Sequence, residues 1–273
     1  MMKKEKKLVL IDGNALLYRA FYALPPLTNS KGTPTGAVYG FTRMLMKLLQ
    51  ERQPQYIACA FDKGKKTFRH RKFEDYKANR PSMPEELVMQ IPLVKEVLEA
   101  FRIPIFEDEE YEADDLLGTL AKKGEEKGLR VEILTGDKDV FQIISPSIYI
   151  LRPKKGITET HLFNEEEVKK EFGISSSQIV DFLSLAGDSS DNIPGVPGIG
   201  PVTAKGLIQK FNTLENLLDN LEELPSKKRD LLRKYIPQAK LSKKLATIIT
   251  TIPLKINLEE FKVSRPEKDL LFA

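Results

Sequence analysis

Three short apolar runs, Leu8-Val-Leu-Ile11, Tyr56-Ile-Ala-Cys-Ala-Phe61 and Val131-Glu-Ile-Leu134, are each followed by aspartate: Asp12, Asp62, and the pair Asp137 and Asp139. Runs this short and this apolar read as strands buried on both faces. Between and around them lie stretches of helical spacing, Val38 to Leu49, Leu87 to Phe101 and Leu116 to Lys127. The alternation predicts an α/β fold, a mostly parallel central sheet with helices on both faces. In open sheets of this kind ligands gather outside the carboxyl ends of the strands, so Asp12, Asp62, Asp137 and Asp139 are expected along one edge.

A further short run, Ile103-Pro-Ile-Phe106, leads to the same edge and to Glu112-Ala-Asp114-Asp115 at the start of a helix. Taken alone, acids there need no explanation beyond the helix dipole and the free amides of the first turn. Asp188 and Asp191, at the end of a helix read over Gln178 to Ala186, change the balance, because so many like charges at one place imply a divalent metal. The expected ligand set is Asp12, Asp62, Glu112, Asp114, Asp115, Asp137, Asp139, Asp188 and Asp191. All are oxygen donors, and hard oxygen sites select Mg²⁺ or Mn²⁺ over zinc. Only His70 and His161 are present, in separate parts of the chain, so a histidine general base is not expected. Two ions about 3.5–4 Å apart would activate a water, hold a scissile phosphate and stabilise the leaving oxygen, the chemistry of phosphodiester hydrolysis. Without metal, some of these carboxylates should hold protons at neutral pH.

Charge is distributed in a way that fits a polyanionic ligand. The net charge of the 273 residues is only +4, but Lys63, Lys65, Lys66, Arg69, Arg71, Lys72, Lys77 and Arg80 are opposed locally by only Glu74 and Asp75. Phe68, Phe73 and Tyr76 are interleaved with these bases, which suits base stacking with phosphate contact, or an amphipathic helix resting on the core. Ser82-Met-Pro-Glu85 has capping-box spacing for the helix that follows, with Pro84 in its first turn, and Pro92 should bend or break that helix. This places a basic insertion at about 63–90 within an α/β core spanning 1–172, followed by a smaller helical region, 173–273. In the latter, Gly195, Gly198 and Gly200 precede a helix that has Pro201 first and Lys205 one turn on. Their amides suit a phosphate, as a backbone clamp indifferent to base sequence. Beyond Phe211, Leu and Lys recur at helical spacing and suggest packing with a basic surface.

With 41% hydrophobic residues the chain can bury the core of one large domain and a satellite. No apolar run is long enough to span a bilayer, and the opening Met1-Met-Lys-Lys lacks a signal-type apolar region, so a cytoplasmic location without membrane association is expected. The single cysteine, Cys59, sits in an apolar run and reads as a buried side chain, and one cysteine excludes an internal disulfide.

Taken together, Asp12-Gly-x-x-x-x-Tyr-Arg, Phe61-Asp62 with Phe68-Arg-His and Tyr76-Lys-x-x-Arg80, Tyr111-Glu-Ala-Asp-Asp115, Thr135-Gly-Asp-Lys-Asp139 and Gly187-Asp-Ser-Ser-Asp-Asn-Ile-Pro-Gly195 carry a resemblance. From about Leu8 to beyond Leu217 the chain resembles the 5′ nuclease domain of bacterial DNA polymerase I and the wider flap endonuclease family. The resemblance implies that the matched acids hold two or more divalent ions and that the basic segment forms a helical arch over them. It assigns contact with the scissile phosphate and a catalytic role to Lys77 and Arg80, with Arg69 among the DNA-contacting bases. It places the glycine turn in a helix-hairpin motif that holds duplex DNA, with a monovalent cation in some members. The implied activity is hydrolysis at the 5′ end, nick or 5′ flap of duplex DNA, RNA-primed ends included, in primer removal and repair. A monomer is expected. The sequence ends at Leu270-Leu-Phe-Ala273 without a polymerase region, so it resembles either a free-standing nuclease or a fragment of a longer polymerase. A related acid-lined ribonuclease would share the first carboxylates without needing the basic insertion or the glycine clamp. A DNA-binding module with a structural or decayed metal cluster would not need the complete acid set.

Overall fold

A computed structural model describes residues 5–64, 66–154 and 159–267; Met1 to Lys4, Lys65 and Leu270 to Ala273, which enter the sequence reading, lie outside the described residues. Strand β1 (Lys7–Asp12) passes directly into α1 (Gly13–Ala23), followed by α2 (Gly36–Arg52) and β2 (Tyr56–Ala60). The basic insertion then contributes α3 (Phe68–Lys72) and α4 (Glu85–Val88) before α5 (Ile91–Ala100), β3 (Ile105–Phe106), α6 (Ala113–Glu126) and β4 (Arg130–Leu134). A 3₁₀ turn (Asp139–Ile143) leads to β5 (Ile148–Pro153), β6 (Thr160–Phe163) and α7 (Glu165–Phe172). From there to Ala246 the chain is mainly helical, with α8 (Ile179–Ala186), α9 (Pro201–Phe211), α10 (Leu214–Asp219) and α11 (Ser226–Ala246).

The six strands form one sheet in the order β3-β2-β1-β4-β5-β6, parallel except for the antiparallel β5–β6 pair. Side-chain alternation along β1 divides the core: Leu8 and Leu10 pack with α6 and the helical region, Val9 and Ile11 with α1, α2 and α5. All four are fully buried, each contributing roughly 1.5–3 kcal/mol of transfer free energy. Glu132, on β4, is buried too; Arg52 meets it with two hydrogen bonds of 2.7 and 2.6 Å, and Arg130 adds a third of 3.0 Å.

Several elements differ from expectation for local physical reasons. Ser82 does not cap α4, whose preceding residue is Pro84 and which has no side-chain cap. Pro92 sits in the first turn of α5, where its missing N–H is harmless, so the expected bend is a break between two helices. Strand β6 was not apparent in the sequence, since Thr160-His-Leu-Phe163 has only one fully buried position. The helical reading beyond Phe211 stops at Ala246. From Thr247 the chain is an irregular strap across α6, so close that a Cβ on Gly118 would lie 2.7 Å from Ile248 Cγ2. No helix among the described residues is long and apolar enough to cross a membrane.

Candidate metal and phosphate site

The acids converge because the strand ends do. Asp12 ends β1 and caps α1, one oxygen accepting from the Ala15 amide (2.9 Å) and the other from Thr135 Oγ1 (2.8 Å). Thr135 also accepts from the Asp137 amide at 3.0 Å, tying the end of β1 to the loop after β4. Asp62 follows β2 and accepts from the first amide of α6, Ala113, at 2.8 Å. Gly13 permits this proximity: a Cβ there would come within 2.3 Å of the Phe61 ring. Asp137 accepts from the Asp139 amide (2.8 Å), and Asp188 and Asp191 arrive on the loop between α8 and α9.

A cleft of about 880 Å³ opens over this edge, lined by Asp12, Asp62, Glu112, Asp114, Asp137, Asp139 and Asp188, with Lys77 and Arg80 above. Asp191 is buried beside the lining residues, its carboxylate held by Arg80, by Tyr76 Oη (2.8 Å) and by Lys77 Nζ (3.6 Å). One oxygen each of Asp139, Asp188 and Asp191 lies within 4.8 Å of the others, and the donor chemistry throughout is carboxylate oxygen, a set that fits hard divalent cations.

The electrostatics point the same way. Burial, aided by the charges of Asp62 and Asp137, pushes the Asp12 carboxyl up to about 7. Burial also raises Asp114 and Asp139 well above the carboxylate range, with Asp137 the largest charge contribution to each, and raises Asp137 itself. Burial alone would lower the Lys77 ammonium, but Glu112 and Asp191 outweigh it and raise it. Such acids bind more protons folded than unfolded, so metal-free stability should fall as pH rises from about 4 to about 7. Asp114→Asn is therefore expected to raise the melting temperature in EDTA at pH 7.5, with the gain shrinking toward pH 5. A fall in melting temperature at both pH values, measured by scanning calorimetry, would contradict the repulsion.

Asp115 departs from the expected ligand set. It is 0% exposed and turns away from the cleft toward Arg69, 3% exposed, which meets it with bonds of 2.6 and 2.8 Å. The Asp115 oxygens also accept from the Glu112 and Ile249 amides at 3.1 and 2.8 Å, which fills their four acceptor positions. Arg69 directs its remaining hydrogens to Glu112 (3.3 Å) and to the carbonyls of Leu245 and Thr247 (both 2.8 Å). All five of its N–H groups are thus used inside the protein, which removes Arg69 from the DNA-facing bases and Asp115 from the metal donors.

The aromatics of the basic segment also turn inward. Tyr76 is buried, its hydroxyl between Glu112 (3.0 Å) and Asp191 (2.8 Å), and Phe68 packs against Tyr111 at 5.9 Å between ring centroids. Of the two readings of these aromatics, stacking on bases or resting on the core, the packing of Tyr76 and Phe68 fits the second. In the glycine turn, Gly195 is buried, donates to Ser242 Oγ (3.0 Å) and accepts from Gln238 Nε2 (2.9 Å). With φ of 59° and a would-be Cβ 2.3 Å from the Gly187 nitrogen, it is a packing glycine and not a phosphate donor. Gly198 and Gly200 are exposed ahead of α9, while the Lys205 ammonium folds back over Gly173. Thr135 and Asn14, whose Oδ1 accepts from the Asp62 amide (3.2 Å), are site residues that the sequence reading does not single out, and their signal is their place inside the acidic motifs; Tyr76 enters the site through its hydroxyl and not through stacking.

A parallel sheet with carboxylates at the carboxyl ends of its strands and a basic segment above defines an acid-lined α/β protein suited to phosphate esters. Residues 7–173 match the family described as 5′-3′ exonuclease, N-terminal resolvase-like domain, and residues 174–269 match 5′-3′ exonuclease, C-terminal SAM fold. The chain is 47% identical over 270 residues to DNA polymerase I of Bacillus caldotenax, covering 98% of this chain but only 31% of that protein. It is 40% identical over 266 residues to a 5′-3′ exonuclease of Aquifex aeolicus, covering 97% of this chain and 90% of that one. The chain belongs to the 5′-3′ exonuclease family. Its fold is also that of the bacteriophage T5 flap endonuclease crystallised with DNA and metal ions, at TM-score 0.73 and 22% identity over 90% of both chains.

Proposed function

We propose that the chain is a structure-specific 5′ nuclease, hydrolysing phosphodiester bonds at the 5′ end, nick or 5′ flap of duplex DNA, RNA-primed ends included. The observation that carries the reading is the cleft in which carboxylates from both halves of the chain lie beneath Lys77 and Arg80. Neither set alone suits a phosphodiester; together they suit one held between cations. Asp12, Asp62, Glu112, Asp114, Asp137, Asp139, Asp188 and Asp191 would hold two or more Mg²⁺ or Mn²⁺ ions, which supply Lewis acidity and a nucleophilic water at neutral pH. The remaining work belongs to the chain. Thr135 and the Ala15 amide fix Asp12, and the Tyr76 hydroxyl, shared between Glu112 and Asp191, links those two acids. Lys77 and Arg80 supply positive charge to the phosphate. Gly198 and Gly200, with Lys205 one turn along and a monovalent cation at the turn, form the face that grips the duplex. The α/β core is assigned to residues 1–172 with its basic arch at about 63–90, and the duplex-binding region to 173–273. The protein works as a monomer in the cytoplasm, in primer removal and repair, beside an attached or associated DNA polymerase.

Comparing Mg²⁺-dependent cleavage of a 5′-flap duplex with that of single-stranded RNA of the same sequence tests the reading. Preferential cleavage of the flap is expected, and cleavage of the RNA alone would favour the ribonuclease alternative. Lys77 and Lys63 separate chemistry from simple attraction. Lys77 is held beside Glu112 at 3.0 Å, whereas Lys63 is exposed and pairs with Glu109 at 3.1 Å. Lys77→Ala should lower the single-turnover rate at saturating enzyme by about a hundredfold with little change in Kd. Lys63→Ala should leave that rate unchanged and reduce the salt slope of binding by about one unit. Equal effects of the two substitutions on both quantities would make Lys77 an ordinary phosphate contact.

A further inference from the structure

The turn carrying Lys77 and Arg80 and the loop carrying Asp188 and Asp191 lie in separate parts of the chain, yet they are joined by reciprocal hydrogen bonds. Asn79 Nδ2 donates to the Ser189 carbonyl (2.5 Å), and Asn192 Nδ2 donates back to the Asp75 carbonyl (2.6 Å). Between them, the Lys77 amide donates to the Asp191 carbonyl (2.9 Å), and Arg80 Nε to that of Ser190 (3.2 Å). Each segment also contains a residue with left-handed backbone, Lys77 and Asn192, both at φ 56°. Asparagine tolerates that conformation and lysine less so; a strained residue persists where its surroundings hold it. The surroundings here are the opposing loop.

We propose that Asn79 and Asn192 are positioning residues, a pair of side-chain amides that clamp the Lys77–Arg80 turn onto the Asp188–Asp191 loop and so set the placement of the two bases over the acids. This rests on the nuclease reading and adds to it residues that touch neither phosphate nor metal. Both amides donate to backbone carbonyls, so they fix the paths of the two segments and not a single side-chain rotamer. The bonds are solvent-exposed and contribute little to global stability. Their consequence should be geometric, since a shift of about 1 Å in a positioning group can lower a rate by about a hundredfold.

The test uses Asn79→Ala and Asn192→Gly, the glycine preserving the left-handed backbone while removing the amide, each assayed on a 5′-flap duplex under single-turnover conditions. Rates about tenfold lower, with Kd within twofold of wild type and an unchanged melting temperature, are expected. The distinguishing readout is coupling: in a Lys77→Ala, Arg80→Ala background, Asn79→Ala should lower the rate less than twofold further, because the groups it positions are gone. Wild-type rates in both single variants, or a full further tenfold loss in that background, would overturn the clamp. Failure of the wild-type protein to cleave the flap would instead overturn the nuclease reading, so the two failures are distinguishable.

Discussion

Asp137→Ala is expected to lower the rate of Mg²⁺-dependent cleavage by about a thousandfold or more, the loss of several kcal/mol of transition-state stabilisation. Asp137 is the acid whose charge contributes most to raising both Asp114 and Asp139, which places it at the electrostatic centre of the cleft. Its carboxylate accepts from the Asp139 amide and, among the described residues, stands in no ion pair within 4 Å, so removing it strands no buried cation. Duplex affinity, measured by binding in Ca²⁺, should stay close to wild type, and the melting temperature in EDTA should be no lower than wild type, because the repulsion that Asp137 exerts on Asp114 and Asp139 is relieved. Wild-type cleavage by Asp137→Ala at saturating substrate would mean that the metal site has been assigned to the wrong acids.

Asp115→Ala is expected to fail differently. Its carboxylate is the buried partner of Arg69, and removing one member of such a pair strands the other, at a cost of about 3–5 kcal/mol. The melting temperature should fall by about 10 °C, in EDTA as in Mg²⁺, because the loss concerns packing between α3, α6, the end of α11 and the strap from Thr247. Activity lost at low temperature, while the fold survives, would then reflect displacement of Glu112, whose amide donates to Asp115. A variant with unchanged stability in EDTA that has lost metal affinity, read by titration calorimetry, would return Asp115 to the ligands.

The contrast between these aspartates shows where sequence reading succeeds and where it stops. Apolar runs ending in aspartate were sufficient to place Asp12, Asp62 and Asp137, because a parallel sheet admits only one location for the carboxyl ends of its strands. Asp114 and Asp115 were indistinguishable. Adjacent positions on a helix differ by about 100°, but which of them faces the cleft depends on Arg69, 46 residues away, and on the strap after α11. The interleaved aromatics and the glycine turn are ambiguous in the sequence for a related reason. Tyr76 and Gly195 are buried by elements that meet only in three dimensions, the acid cluster for one and α11 for the other. β6 escaped notice because an edge strand with one buried position carries almost no apolar pattern.

Whether the acid cleft beneath Lys77 and Arg80 hydrolyses DNA at a 5′ terminus is read from a duplex bearing a labelled 5′ flap, incubated with Mg²⁺ or with EDTA. Mg²⁺-dependent release of short labelled products cut at or near the junction of flap and duplex is expected, with no product in EDTA. Intact substrate in Mg²⁺ with retained duplex binding, or products of every length scattered along the flap, would contradict it.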